Sequence, residues 1–167
     1  MAEVSWKNIK ELLLLLKEKS LKEIFLGNKV KLNNKEEKLL QWIKKNPLSL
    51  KKAGGRKGYF IRLGLIHKGN GNVYLLPNKL GNSDQESILL FDSKVKIQSG
   101  PDLYVYLSAE QKVKDKIGKI LNLGLLKGTK GGQSYVIKQN INSLDKYQSV
   151  VVYCKKFKVL FTYANLK

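Results

Sequence analysis

Between Lys38 and Ser83 this chain carries ten basic residues and no acidic one, and that run constrains its folding more than any other feature. Across 167 residues, thirty lysines and two arginines face 13 acids, a formal charge of +19. Like charges at that density repel in any compact state, so the lysines must lie outside. A polyanion, either nucleic acid or an anionic membrane surface, is the partner that would neutralise them. A second basic block follows Asp115, broken only by Asp145. With 43% hydrophobic residues, eight Tyr and five Phe, the chain has the apolar mass for a core that a solvated basic tail would lack. Its length allows one ordinary domain or two small ones.

The single cysteine, Cys154, excludes an internal disulfide and a cysteine-based zinc site, and fits a reducing compartment. The apolar run Leu12 to Leu16 stops at Lys17, well short of the about 20 residues that span a bilayer, so a soluble or peripheral protein is expected. Glu3, Glu11, Glu18 and Glu23, with no arginine before Arg56, do not form a signal or transit peptide pattern. The excess of lysine over arginine, with many Asn and Ile, points to an AT-rich coding genome.

Periodicity predicts a first helix from Ser5 to Phe25, ended by Gly27 and Asn28, then a short strand at Val30 to Leu32. Asn34 and Glu37 are spaced as a capping box ahead of a second helix that stops at Asn46-Pro47. Leu48 to Lys57 reads as a basic loop. Tyr59 to Ile66 and Asn72 to Leu76 read as strands joined through Asn70-Gly71. Further strands are expected at 87–98, 103–107, 121–126, 149–154 and 158–163, with a lysine-rich helix over 109–121. The fold class is therefore α+β: an N-terminal α-β-α-β-β unit (residues 1–82), a boundary near Asn82, and a β-rich C-terminal domain with one helix (residues 83–167).

Catalytic constellations are not apparent. His67 is the one histidine and falls at a predicted turn, while Cys154 lies in an apolar strand run, where a buried thiol acts as a small hydrophobe. Asp84, Glu86 and Asp92 read as a solvated loop rather than a two-metal site. The glycine-rich stretches lack a dinucleotide or phosphate-loop fingerprint. Lys127 to Gly132 instead offers backbone N–H groups beside Lys127, Lys130 and the Thr129 hydroxyl, groups suited to phosphate and sugar oxygens. No enzyme, cofactor or metal is expected.

Three stretches resemble the bacterial-type eighth protein of the small ribosomal subunit. Gln98 to Tyr106 is similar to that family's Ile-Ser-Lys-Pro-Gly-Arg-Arg-Val-Tyr segment, with Ser99, Pro101, Val105 and Tyr106 in register. Leu121 to Gly131 is similar to its Leu-Gly-Ile-Ala-Ile-Ile-Ser-Thr-Ser-Lys-Gly run. Val30 to Leu32, Lys38 to Ile43 and Gly58-Tyr59-Phe60-Ile61 follow its N-terminal order, around an inserted 48–57 loop.

The resemblance implies a structural protein of the small ribosomal subunit, most similar to mitochondrial members, that binds the central domain of small-subunit ribosomal RNA and supports its assembly. A cytoplasmic or plastid ribosome is the alternative location. Its partners would be that RNA and neighbouring small-subunit proteins, with no membrane and no small-molecule substrate. The RNA-binding set would be Lys31, Asn34, Lys35, Lys51, Lys52, Arg56, Lys57, Ser99, Tyr104, Lys127, Gly128, Thr129, Lys130, Gly131 and Ser149, reading RNA shape through phosphates and 2′-hydroxyls. The alternative function is a viral or plasmid single-stranded nucleic-acid-binding protein.

Overall fold

The computed structural model describes residues 27–81, 83–113 and 117–167, so the helix expected from Ser5 to Phe25 lies outside the described residues. The described chain is mostly β-sheet with few helices, and one of these exceeds six residues. That helix, α1 (Asn34–Lys45), starts one residue earlier than the sequence suggests. Asn33 is the N-cap: its side chain accepts from the Glu36 N–H at 2.9 Å, and the Glu36 carboxylate accepts the Asn33 N–H at 3.0 Å. Asn46 ends α1, and Pro47 opens a short second helix, α2 (Pro47–Lys52), with its missing N–H at a position where none is needed. Half of the expected 48–57 loop is thus helical, and the rest turns at Gly54-Gly55 into β1 (Arg56–Tyr59).

Nine strands follow: β2 (Gly69–Asn70), β3 (Asn72–Pro77), β4 (Ser87–Phe91), β5 (Lys96–Ile97), β6 (Leu103–Ser108), β7 (Ile120–Leu125), β8 (Gln133–Ile137), β9 (Ser149–Cys154) and β10 (Val159–Asn165). They form two four-stranded antiparallel sheets, ordered β1-β3-β4-β8 and β10-β9-β6-β7, with β2-β5 as a small pair. Side chains alternate across a strand, and this sorts the apolar residues into layers. Val73, Leu75, Leu89, Phe91, Tyr135 and Ile137 of the first sheet pack against Leu103, Val105, Leu107, Val150, Val152 and Cys154 of the second. The opposite face of the first sheet, Tyr74, Leu76, Ile88 and Leu90, is roofed by Leu40 and Ile43 of α1 and Leu50 of α2. The opposite face of the second sheet carries Tyr104, Tyr106, Val151 and Tyr153.

The two sheets also meet along one side. Lys57 and Lys167 exchange backbone hydrogen bonds, and Phe60 bridges Ala164. Gly58 is needed at this crossing, because a Cβ there would come within 2.7 Å of the Asn165 carbonyl oxygen.

Several expectations change. β3 and β4, on either side of Asn82, pair directly in one antiparallel sheet. The helix expected over 109–121 is absent from the described residues there. Instead the Ala109 N–H donates to the Lys119 carbonyl and closes the β6–β7 hairpin, a pairing that draws residues from 120 onward into a strand. The strand expected from Tyr59 to Ile66 stops at Tyr59. β1 pairs with β3 without a tight turn, and residues 60–71 form a long connection between them.

Candidate functional site

The expected RNA-binding residues do not form one surface. Lys31, Asn34, Lys130 and Gly131 line a groove of about 620 Å³ with Lys29 and Lys96 over a floor of Val30, Leu32 and Val95. Lys51 and Lys52 lie apart from these, beside Gly54, Asn78 and Asp84. Lys35 and Lys57 are exposed, the latter with its ammonium 5.7 Å from the centre of the Tyr74 ring. Arg56 is not a free cation: its guanidinium donates to the carbonyls of Tyr147 at 2.6 Å and Leu144 at 2.9 Å. Ser149 is buried, and its hydroxyl donates to the Glu110 carbonyl. Ser99 is half-buried beside Gly100.

The 127–132 loop has the expected position but not the expected chemistry. Its amides are already engaged: Thr129 and Lys130 donate to Asn28, Gly131 to Val95, Lys127 to the Tyr135 hydroxyl, and Gly128 to the Gln133 side chain. The Thr129 hydroxyl is buried and accepts the Asn28 N–H at 3.0 Å. Gly131, at φ +102°, lies against the Val30 backbone rather than toward a ligand. This loop holds the segment before α1 onto the sheets.

Chemistry gathers instead at the end of β9. Cys154 is fully buried, paired across the sheet with Leu103 and Val159. After it the chain reverses through Lys155, Lys156, Phe157 and Lys158, and the reversal places Lys158 at φ +53°. Burial raises the thiol pKa. Backbone hydrogen bonding from Phe157, Asp102 and Lys156 opposes that rise by favouring the charged form, while the Asp102 carboxylate adds to it. The thiol is therefore protonated at neutral pH, under a turn bearing three lysines.

Behind Cys154, on the other face of the same sheet, lies a tyrosine cluster. Tyr104 and Tyr106 stack with ring centroids 6.2 Å apart, Tyr106 and Tyr153 are 6.1 Å apart, and the Lys155 ammonium sits 5.2 Å from the Tyr104 ring centre. Burial raises the pKa of both Tyr106 and Tyr153, and for Tyr153 the neighbouring Cys154 adds to the rise. No group of three His, Cys, Asp or Glu side chains comes together among the described residues, so they supply no multi-ligand metal centre. His67 stacks on Phe161, 4.7 Å between ring centres, and burial lowers its pKa.

A family model described as "Electron transfer DM13" matches residues 63–166. No curated protein and no solved structure matches the chain. The match covers β2 through β10 and includes the Cys154 turn and the tyrosine cluster. It overturns the ribosomal resemblance, and with it the ribosomal-RNA and ribosomal-protein partners and the assembly role. It gives no support to the single-strand-binding alternative either. The short Ser-x-Pro and Lys-Gly matches that carried the resemblance fall at turns, where such residues recur for reasons of backbone geometry. Sequence reading passed over Cys154 as a small hydrophobe. The signal available was its position, the one thiol of the chain directly before Lys-Lys-Phe-Lys.

Proposed function

This chain belongs to the DM13 electron-transfer family, and on that premise we propose that it is an electron-transfer module whose redox site is the Cys154 sulfur. The observation that carries this reading is the place of the chain's one cysteine, fully buried at the end of β9, inside the matched region and on the sheet whose other face bears the tyrosine cluster.

In this reading the tyrosines give the buried sulfur a path to the surface. Tyr153 neighbours Cys154 in the chain, Tyr106 lies between Tyr153 and Tyr104, and Tyr104 is half-exposed under Lys155. The chain carries electrons between partners and performs no reaction of its own on a substrate. Voltammetry of the full chain and of Cys154→Ser tests this: the parent gives a redox wave that the variant lacks. A wave unchanged in Cys154→Ser contradicts it.

A further inference from the structure

The connection between β1 and β2 is the least expected surface of the molecule. Ile61, Leu63, Leu65 and Ile66 are all exposed, Leu65 by 81% and Ile66 by 52%, and they put four exposed aliphatic side chains within six residues, whereas the other exposed aliphatics, Leu48, Leu80, Ile120, Leu125 and Val136, are scattered along the chain. The loop is nevertheless built, not loose. At its base, Ile61 donates to the Tyr163 carbonyl at 3.1 Å and accepts from the Thr162 hydroxyl at 2.6 Å, while His67 stacks on Phe161. At its neck, the Leu63 N–H donates to the His67 carbonyl at 3.0 Å, closing a short loop with Gly64, Leu65 and Ile66 at its tip. Arg62 caps the Gly64 carbonyl at 2.7 Å, so part of the tip's backbone polarity is satisfied internally.

A firmly held apolar tip suits an environment where bare backbone groups are costly. Exposed Arg62 and Lys68 flank it, no acid occurs from Lys38 to Ser83, and exposed Tyr59 lies two residues before Ile61. Aliphatic residues at a tip, cations at its shoulders and tyrosine at its base match the layers of a lipid interface: acyl chain, phosphate, and the headgroup zone that amphipathic aromatics prefer. A nucleic acid would use the cations but gain little from Leu65 and Ile66, since it offers stacking faces and phosphates rather than an apolar phase. We propose that loop 61–68 docks this chain onto an anionic phospholipid surface, with Leu65 and Ile66 entering the bilayer interface and Arg62 and Lys68 meeting lipid phosphates.

The test is sedimentation of the full chain with vesicles of phosphatidylcholine alone and of phosphatidylcholine mixed with phosphatidylserine. The parent binds the mixed vesicles and not the neutral ones. Leu65→Ser with Ile66→Ser weakens that binding by about tenfold or more, since one buried aliphatic side chain is worth about that factor. Arg62→Glu with Lys68→Glu weakens it too, most strongly at low salt. Leu65→Trp reports insertion once the emission of the parent's Trp6 and Trp42 is subtracted: the added emission shifts to the blue on mixed vesicles and stays put when the chain is given a structured RNA. Binding to mixed vesicles undiminished in the serine variant, an unshifted Leu65→Trp emission, or displacement from vesicles by RNA at equal phosphate concentration would each overturn the proposal.

Discussion

The Lys44 ammonium lies 2.8 Å from the Asp92 carboxylate and forms the one salt bridge found among the described residues. It ties α1 to the turn after β4, with Asp92 almost fully buried and Lys44 about a third exposed. Burial alone would raise the Asp92 pKa. Hydrogen bonds from Lys44, the Lys94 N–H and Ser93, together with the Lys44 charge, outweigh it and hold the carboxyl below its ordinary value. A depressed folded pKa adds stability above the unfolded value near 3.8, and that stability is lost as pH falls through the folded value. Thermal melts should therefore lose stability below a pH of about 4, and Asp92→Asn should flatten this acid limb while costing about 1–2 kcal/mol at neutral pH.

Arg56 is expected to matter for stability rather than for binding a polyanion. Replacing it with Ala strips donors from the Leu144 and Tyr147 carbonyls, at a cost of about 1–3 kcal/mol. A Tm lower by roughly 3–10 °C in a domain of this size is the expected result. An unchanged melt would show that water replaces the guanidinium at no cost.

Gly131→Ala tests the loop that holds the segment before α1. Its φ of +102° is one that other residues rarely adopt, and an added Cβ would fall 2.0 Å from the Val30 carbonyl oxygen, so a backbone must move. The expected loss is about 3 kcal/mol or more, with protection of the Val30 amide in hydrogen exchange lost alongside.

Tyr106→Phe keeps the ring and removes the oxidisable phenol at the centre of the cluster. Under the account above, electron exchange between Cys154 and a surface oxidant slows while the midpoint potential stays where it was. Equal rates in parent and variant would remove the tyrosines from the path.

Much of the fold was legible in the sequence, and the reason differs by element. β9 was readable to the residue because Ser149 to Cys154 holds a run of three β-branched valines and is buried on both faces. α1 was readable from its apolar stripe, but its cap was misplaced by one residue because Asn33 and Asn34 are both competent caps followed three residues later by a glutamate. The helix expected over 109–121 failed because its lysines and scattered apolar residues fit a helical period, while the hairpin closure at Ala109 and Lys119 is a long-range pairing that no local pattern encodes. Residues 60–66 were misread as the continuation of a strand because their aliphatic side chains look like core. The candidate site was invisible for a related reason. Cys154 lies opposite Leu103 of β6 and Val159 of β10, and those surroundings exist only once β9 has paired with both strands.

The most direct measurement of the central claim is the midpoint potential of the full chain as a function of pH, taken beside Cys154→Ser. With the thiol protonated because burial raises its pKa, oxidation must release a proton together with the electron. The account predicts a parent potential that falls by about 59 mV per pH unit through the neutral range, and no corresponding couple in the variant. A potential independent of pH, or one that Cys154→Ser retains, would contradict it.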